Sequence, residues 1–213
     1  MSLFPMFLKL EGRSCLIVGA GSIAFEKIES LLPTGASLHV VAPEAMPEVE
    51  TLSAQGQIVL TRREYQPSDL EGVFVAIAAT ATPAVNHAVI AEARRRGILC
   101  NSVDDPPYCD FYFGSIVRRG DLQIAISTNG DSPALAQRLR REIDAQLPED
   151  LGQWLEQLGH LRREVLARYP AGAERKALLH TLAQRSLCEA EDCPTRQLAL
   201  APEASHAAGK VPA

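Results

Sequence analysis

The sequence predicts an α/β fold: a parallel-sheet domain, then a small α/β segment, then a helical C-terminal region. Three observations lead there. Over the first hundred residues short β-rich runs alternate with helical patterns, the mark of strands joined by crossover helices. Several of those runs are apolar without alternation, as strands covered on both faces must be. After residue 112 the texture changes to two β-rich runs joined by a tight turn, which is hairpin character.

In order, SCLIVGA (14–20) is an unbroken apolar strand, and Ile23, Ile28, Leu31 and Leu32 follow it with helical spacing until LLPTGA breaks the pattern. SLHVVAP (37–43), QIVLTRREY (57–65), GVFVAIAAT (72–80) and ILCNSVD (98–104) supply four further strands. EAMPEVETLSAQG and NHAVIAEARRRG (86–97) supply helices between them. FYFGSIVRRGDLQIAIST (111–128) reads as a hairpin turning at Arg-Gly-Asp. Ser132 is a capping residue and Pro133 a first-turn residue for a helix over 133–148, where Leu135, Leu139, Ile143 and Leu147 form one apolar stripe. Helices are also expected over 149–169 and 173–188. The Ala- and Pro-rich remainder lacks periodicity and is expected to be a loose tail. The expected domains are therefore 1–112, 113–148, 149–188 and a tail over 189–213.

The 213 residues carry a net charge of −5, which argues against general nucleic-acid or anionic-membrane binding. No apolar run approaches the roughly 20 residues needed to span a bilayer. Cys15 and Cys100 sit inside apolar strands, where a reduced core thiol is expected, and that suits the cytoplasm. Cys188 and Cys193 with His180 fit no zinc spacing, so no permanent metal is expected.

The chemistry begins at IVGAGSIAFEK, where Gly19, Gly21 and Ala24 form a G-x-G-x-x-A directly after a strand and opening a helix. Gly19 permits the tight turn, Gly21 leaves room for a pyrophosphate, and Ala24 lets the helix pack on the strand. Free amides at Ser22, Ile23 and Ala24, together with the positive helix end, attract the phosphates. The motif reads as the dinucleotide cradle of a Rossmann-type domain, the other reading being a tight βα turn alone. The acidic residue usual about 20 residues on would fall near Val41, which is apolar, so Glu44, beside Pro43, is the ribose candidate. Glu44 reads equally as a first-turn helix acid. No arginine stands at 40–45 to meet a 2′-phosphate, which favours NAD over NADP. Ala78, Ala79 and Thr80, at the carboxyl end of the fourth strand, are expected beside the cofactor or packing strand on helix.

NSVDDPPYCDFYFGSIV sets Asp104 and Asp105 side by side where the fifth strand ends. Aspartate before proline is also an ordinary turn former. The segments LFPMFLKLEGRSCLIVGAGSIAFEKIESLL, VFVAIAATATPAVNHAV, LCNSVDDPPYCDFYFGSIV and IAISTNGDSPALAQRLRREID resemble, in this order and spacing, the precorrin-2 dehydrogenase/sirohydrochlorin ferrochelatase family. That family forms the amino-terminal half of siroheme synthases and also occurs as stand-alone enzymes. The resemblance covers residues 3–165 and points to the stand-alone form.

The resemblance implies oxidation of precorrin-2 to sirohydrochlorin with NAD, insertion of ferrous iron in many members, and a homodimer joined through the hairpin-and-helix segment. The family's shared aspartate matches Asp104. A base there is useful to both steps, because dehydrogenation and metal insertion each release protons, and a carboxylate holds a hard cation briefly by oxygen. Asp105 is either a turn former or a neighbouring charge that raises the basicity of Asp104. Thr128 either touches the tetrapyrrole or opens the next turn, where Asn129 tolerates left-handed backbone. A substrate bearing eight carboxylates calls for a positive rim, with Arg118, Arg119, Arg138, Arg140 and Arg141 as candidates. Two rival readings are a dehydrogenase whose product is metallated by another protein, and an NAD-sensing dimer without catalysis.

Overall fold

The computed structural model describes residues 3–103 and 105–184; Asp104, Cys188, Cys193 and the tail expected over 189–213 lie outside the described residues. The chain divides into two compact units. One holds the chain up to Gly114 together with Ser127–Pro133, and the other holds Ser115–Ile126 and the chain from Ala134 onward.

The first unit is a five-stranded parallel sheet in the order β3-β2-β1-β4-β5. Its strands are β1 (Ser14–Val18), β2 (Ser37–Val41), β3 (Val59–Thr61), β4 (Val75–Ala78) and β5 (Leu99–Ser102). The central strand β1 is buried almost throughout because β2 and β4 flank it and side chains pack on both faces. Ile17, Val40 and Ile77 face one apolar layer with Ile28, Leu31 and Val49, while Leu16, Val41 and Ala76 face the other with Val89, Ile90 and Ala93. Each fully buried aliphatic side chain contributes about 1.5–3 kcal/mol relative to exposure. The unbroken apolar runs of the sequence are thus two interleaved faces, both covered.

Three helices connect these strands: α1 (Ser22–Leu31), α2 (Pro47–Ala54) and α3 (Pro83–Arg96). Proline opens α2 and α3, where its missing N–H costs nothing. Helix α3 ends at Gly97, whose φ of +69° suits the left-handed cap, with three arginines in the last turn against the negative helix end. It begins three residues earlier than its apolar pattern indicated, at Pro83, because the first two positions, Pro83 and Ala84, are exposed and add nothing to that pattern. The observed strands are shorter than the apolar runs that predicted them, since the runs continue into loops at the carboxyl edge.

Cys15 and Cys100 are free, buried thiols as expected. Burial raises both, Cys100 to about 12, so they stay protonated and inert.

In the second unit, β6 (Ser115–Arg119) and β7 (Leu122–Ile126) form the expected antiparallel hairpin, followed by α4 (Pro133–Gln146), α5 (Leu151–Arg168) and α6 (Ala173–Ala183). Helix α5 meets the hairpin turn at Gly152, where a Cβ would sit 2.8 Å from the Arg119 carbonyl oxygen. Val165 and Leu182 bury each other's neighbours between α5 and α6. No helix among the described residues is long and apolar enough to cross a membrane.

Candidate active site

The sheet order reverses at β1, which has β2 on one side and β4 on the other, so a crevice opens above the carboxyl ends of β1 and β4. Gly19 stands in that crevice with a φ of +111°, and a Cβ there would lie 2.3 Å from the Ala79 carbonyl oxygen. Only glycine satisfies both the backbone and the close approach. Its N–H donates to the Val41 carbonyl at 2.9 Å, and the Ala79 N–H donates to Val18 at 2.8 Å, so the turn is locked to both neighbouring strands.

Gly21 differs. It caps α1 with ordinary φ, and a Cβ there would meet nothing within 4 Å. The first intrahelical bond runs from the Phe25 N–H to the Gly21 carbonyl, so the amides of Ser22, Ile23 and Ala24 precede it. The first turn holds no acidic residue and no side-chain cap. Open space above Gly21, uncapped amides and the positive helix end together fit a pyrophosphate. Ala24 is fully buried under the turn, as its packing role requires. Ile23, counted above in the apolar stripe, is 42% exposed and forms the lip of the cradle instead. Pro43 and Glu44 lie exposed just past the end of β2, and Ala78 is buried while Ala79 and Thr80 line the β4 end.

Thr80 is held by a residue the sequence reading passed over. The buried Asn86, on the first turns of α3, donates through Nδ2 to the Thr80 carbonyl at 3.0 Å. Its Oδ1 accepts from the Thr80 N–H at 3.1 Å and lies 2.8 Å from the Thr80 hydroxyl. The signal was present as a polar residue inside an apolar helix pattern. Asn86→Ala leaves two backbone groups unpaired, and we expect it to lower NAD affinity about three- to tenfold, read by titration calorimetry, at roughly 1–3 kcal/mol in stability.

The loop after β5 carries the second group of candidate residues. Its stem is sewn to the strand: the Cys100 N–H donates to Asp110 at 3.0 Å, the Asp110 N–H returns to the Cys100 carbonyl at 2.8 Å, and Asn101 donates to the Phe111 carbonyl at 2.8 Å. The Cys109 thiol donates toward the Ser102 carbonyl at 3.0 Å, and burial raises it too. The buried Ser102 hydroxyl has no partner among the described residues. A 3-10 turn over Pro106–Tyr108 follows Asp105, whose Oδ2 lies 3.1 Å from His87 Nε2.

Residues 6–115 match the family model described as "Putative NAD(P)-binding", and residues 119–146 match "Sirohaem biosynthesis protein central". The solved structure of "SirC, precorrin-2 dehydrogenase" superposes with a TM-score of 0.71 at 30% identity, over 86% of this chain and 90% of that one. The chain belongs to the precorrin-2 dehydrogenase family. Siroheme synthase 1 of Serratia proteamaculans is 42% identical over 176 residues, and siroheme synthase of Photorhabdus laumondii is 40% identical over 177. Each alignment covers 83% of this chain but only 37% and 38% of those relatives, so the chain spans little more than a third of their length.

For a member of the precorrin-2 dehydrogenase family, the remaining residues singled out above divide between two units. Thr128 belongs to the first, where its hydroxyl accepts the Ser132 N–H at 3.2 Å and its carbonyl accepts the Asp131 N–H at 3.0 Å, a turn-forming role. Asn129 has a φ of +57°, the left-handed geometry expected of it. Arg118, Arg119 and Arg138 belong to the second unit. Arg118 is exposed, and Arg138 makes a surface pair with Glu142 at 3.2 Å, a weak interaction that leaves its guanidinium accessible. Arg119 is engaged: it pairs with Asp144 at 2.7 Å and donates to the Asp144 carbonyl at 3.0 Å, tying the hairpin to α4. The structure therefore engages Arg119 within the fold, where the sequence reading offered it to the positive rim.

Proposed function

We propose that the chain oxidises precorrin-2 to sirohydrochlorin with NAD and then inserts ferrous iron, with Asp104 as the base in both steps. One observation carries the reading. The loop bearing the aspartate pair is anchored at the same carboxyl edge as the Gly19–Ala24 cradle, two strand spacings away by the register Val18↔Ala78↔Ser102. Two spacings are roughly 9–10 Å, within reach of one large macrocycle lying beside a nicotinamide. The likeness to SirC along nearly its whole length supports the dehydrogenase, and the likeness to siroheme synthases supports metal insertion.

Bound NAD supplies a hydride acceptor. Gly19 and Gly21 would admit its pyrophosphate, the α1 amides would hold it, and Glu44 would accept from the ribose hydroxyls. Precorrin-2 gives up two electrons and a proton as hydride, and Asp104 takes the second proton. In the second step sirohydrochlorin loses two pyrrole protons as iron enters, and the same carboxylate, having released its first proton to solvent, takes them one at a time and passes each to solvent. Arg118 and Arg138 are the cations proposed for substrate carboxylates, and Thr128 is the proposed hydroxyl contact to the tetrapyrrole.

The reading includes a homodimer. The hairpin is a two-stranded sheet, which is marginal alone, and Ile116, Leu122, Ile124 and Ile126 stay only half-buried. Leu135 on α4 is 39% exposed, and Leu139, Ile143 and Leu147 are half-buried. A second copy of the segment covers that surface. The buried, free thiols suit a reducing cytoplasm.

The decisive experiment supplies precorrin-2 anaerobically with NAD, and in parallel with NADP, and follows reduced cofactor and the sirohydrochlorin spectrum with and without ferrous ion. Turnover preferring NAD is expected, followed by an iron-dependent spectral change, from a species that light scattering sizes as a dimer. Absence of turnover from the intact chain removes the enzyme reading and leaves the NAD-sensing alternative. Oxidation without metallation confines it to the first step.

A further inference from the structure

The stem of the β5 loop is tied to its own strand and Tyr112 donates to the Pro106 carbonyl at 3.2 Å, but two residues of α3 grip the outer face. His87 and Arg94 are seven positions apart, so they share one face of that helix. His87 Nε2 lies 3.1 Å from Asp105 Oδ2. The same imidazole lies against the Tyr108 ring with centroids 5.0 Å apart. Arg94 sits 5.4 Å from the centre of the Tyr108 ring and donates to the Pro107 carbonyl at 3.3 Å. Asp105, Pro107 and Tyr108, three residues that follow Asp104 within four positions, are therefore gripped by one helix face.

An ionised carboxylate only accepts, so His87 Nε2–H is the donor. That contact forms with either the neutral Nε2–H tautomer or the imidazolium, so it needs no change of charge. Half-exposed pairs of this kind add little to the stability of a whole domain. What this one does is geometric. It fixes the carboxylate of Asp105, and Tyr108 behind it, against a helix that belongs to the sheet's own covering layer. We propose that His87 is a positioning residue for the aspartate loop, orienting the segment that follows Asp104 through its hydrogen bond to Asp105 and its stacking on Tyr108. Arg94 seconds it from the other side of the tyrosine ring. The inference rests on the reading of Asp104 as the base, and goes beyond it by assigning the group that holds the base's loop in place.

Cys109 provides a readout that needs no substrate. Its half-buried thiol points back to the Ser102 and Asp105 carbonyls at 3.0 and 3.4 Å, so it is protected only while the loop is closed. In the intact chain, alkylation by iodoacetamide is followed at Cys109 by peptide mass mapping, which separates it from the other four cysteines. His87→Ala is expected to raise that rate about tenfold by increasing local opening. It should also lower kcat for precorrin-2 oxidation about tenfold, because a small displacement of a reacting group is costly. The Kd for NAD should stay within about twofold of wild type, since the cradle lies on β1 and α1. His87→Gln restores an N–H donor at the Nε2 position and should recover most of both effects. The double variant His87→Ala/Asp105→Asn should lose no more than the worse single one.

An unchanged Cys109 rate in His87→Ala overturns the positioning role, and so does an equal loss in kcat and NAD affinity, which signals general disruption. Failure of His87→Gln to rescue overturns the hydrogen-bond assignment. If wild type itself never turns over while Cys109 still becomes reactive in His87→Ala, the clamp stands and the enzymatic reading falls.

Discussion

Asp104→Asn is expected to lower the rate of precorrin-2 oxidation about a hundred- to ten-thousand-fold, the usual worth of a positioned general base, while the Kd for NAD stays at its wild-type value. The amide keeps the size of the carboxylate and its ability to accept a hydrogen bond, but it cannot take up a proton at neutral pH. A turn role survives the change; a base role does not. The same variant should stop iron insertion, because the two pyrrole protons of sirohydrochlorin lose the same acceptor. Stopped-flow absorbance under anaerobic conditions reads both steps. A loss smaller than about threefold in both demotes the residue to the turn former that an aspartate before Asp-Pro-Pro also resembles. A loss confined to one step assigns the carboxylate to that step alone.

Gly19→Ala is the second large effect, and it strikes the fold and the cofactor together. The new Cβ arrives 2.3 Å from the Ala79 oxygen and 2.7 Å from its carbonyl carbon, and both belong to backbone that cannot rotate aside. The position's φ of +111° also suits glycine alone. Relief requires the β1–α1 turn to leave β4, which breaks the Gly19 N–H bond to Val41 and tilts the amides that face the pyrophosphate. We expect loss of at least about a hundredfold in NAD affinity and a fall in melting temperature, consistent with backbone strain on the order of 1–3 kcal/mol together with the steric clash. Gly21→Ala separates the two consequences. Its Cβ meets no protein atom within 4 Å, so the melting temperature should hold while the methyl group crowds the phosphate. Calorimetry of both variants with NAD decides the matter. Normal NAD binding by both shows that the dinucleotide sits elsewhere.

Much of this was legible in the residues. The unbroken runs around Leu16 and Ile77 declare strands covered on two faces, because burial is a property of composition and spacing. Gly19, Gly21 and Ala24 declare the cradle because the need for glycine at a tight turn is local. Asn129 declares a left-handed turn for the same reason. The pairing of His87 with Asp105 was not legible, since the partners lie eighteen residues apart and only the α3–β4–β5 packing brings them together. Asn86 was hidden likewise: a polar residue in a helix pattern does not name the loop it will bind. Arg119 shows the opposite case, a residue chosen for its charge that the fold spends on Asp144.

By itself, the order of residues determined the alternation of strand and helix, the glycine turn, the hairpin and the family. These depend on backbone preference and hydrophobic period, which act over a few neighbouring positions. Tertiary structure alone decided which polar groups meet: which helix grips the aspartate loop, what holds Thr80, and which arginine is already engaged. The reason is physical. A hydrogen bond or ion pair is set by distances of about 3 Å between side chains remote in sequence, and such distances exist only once the sheet has closed its order.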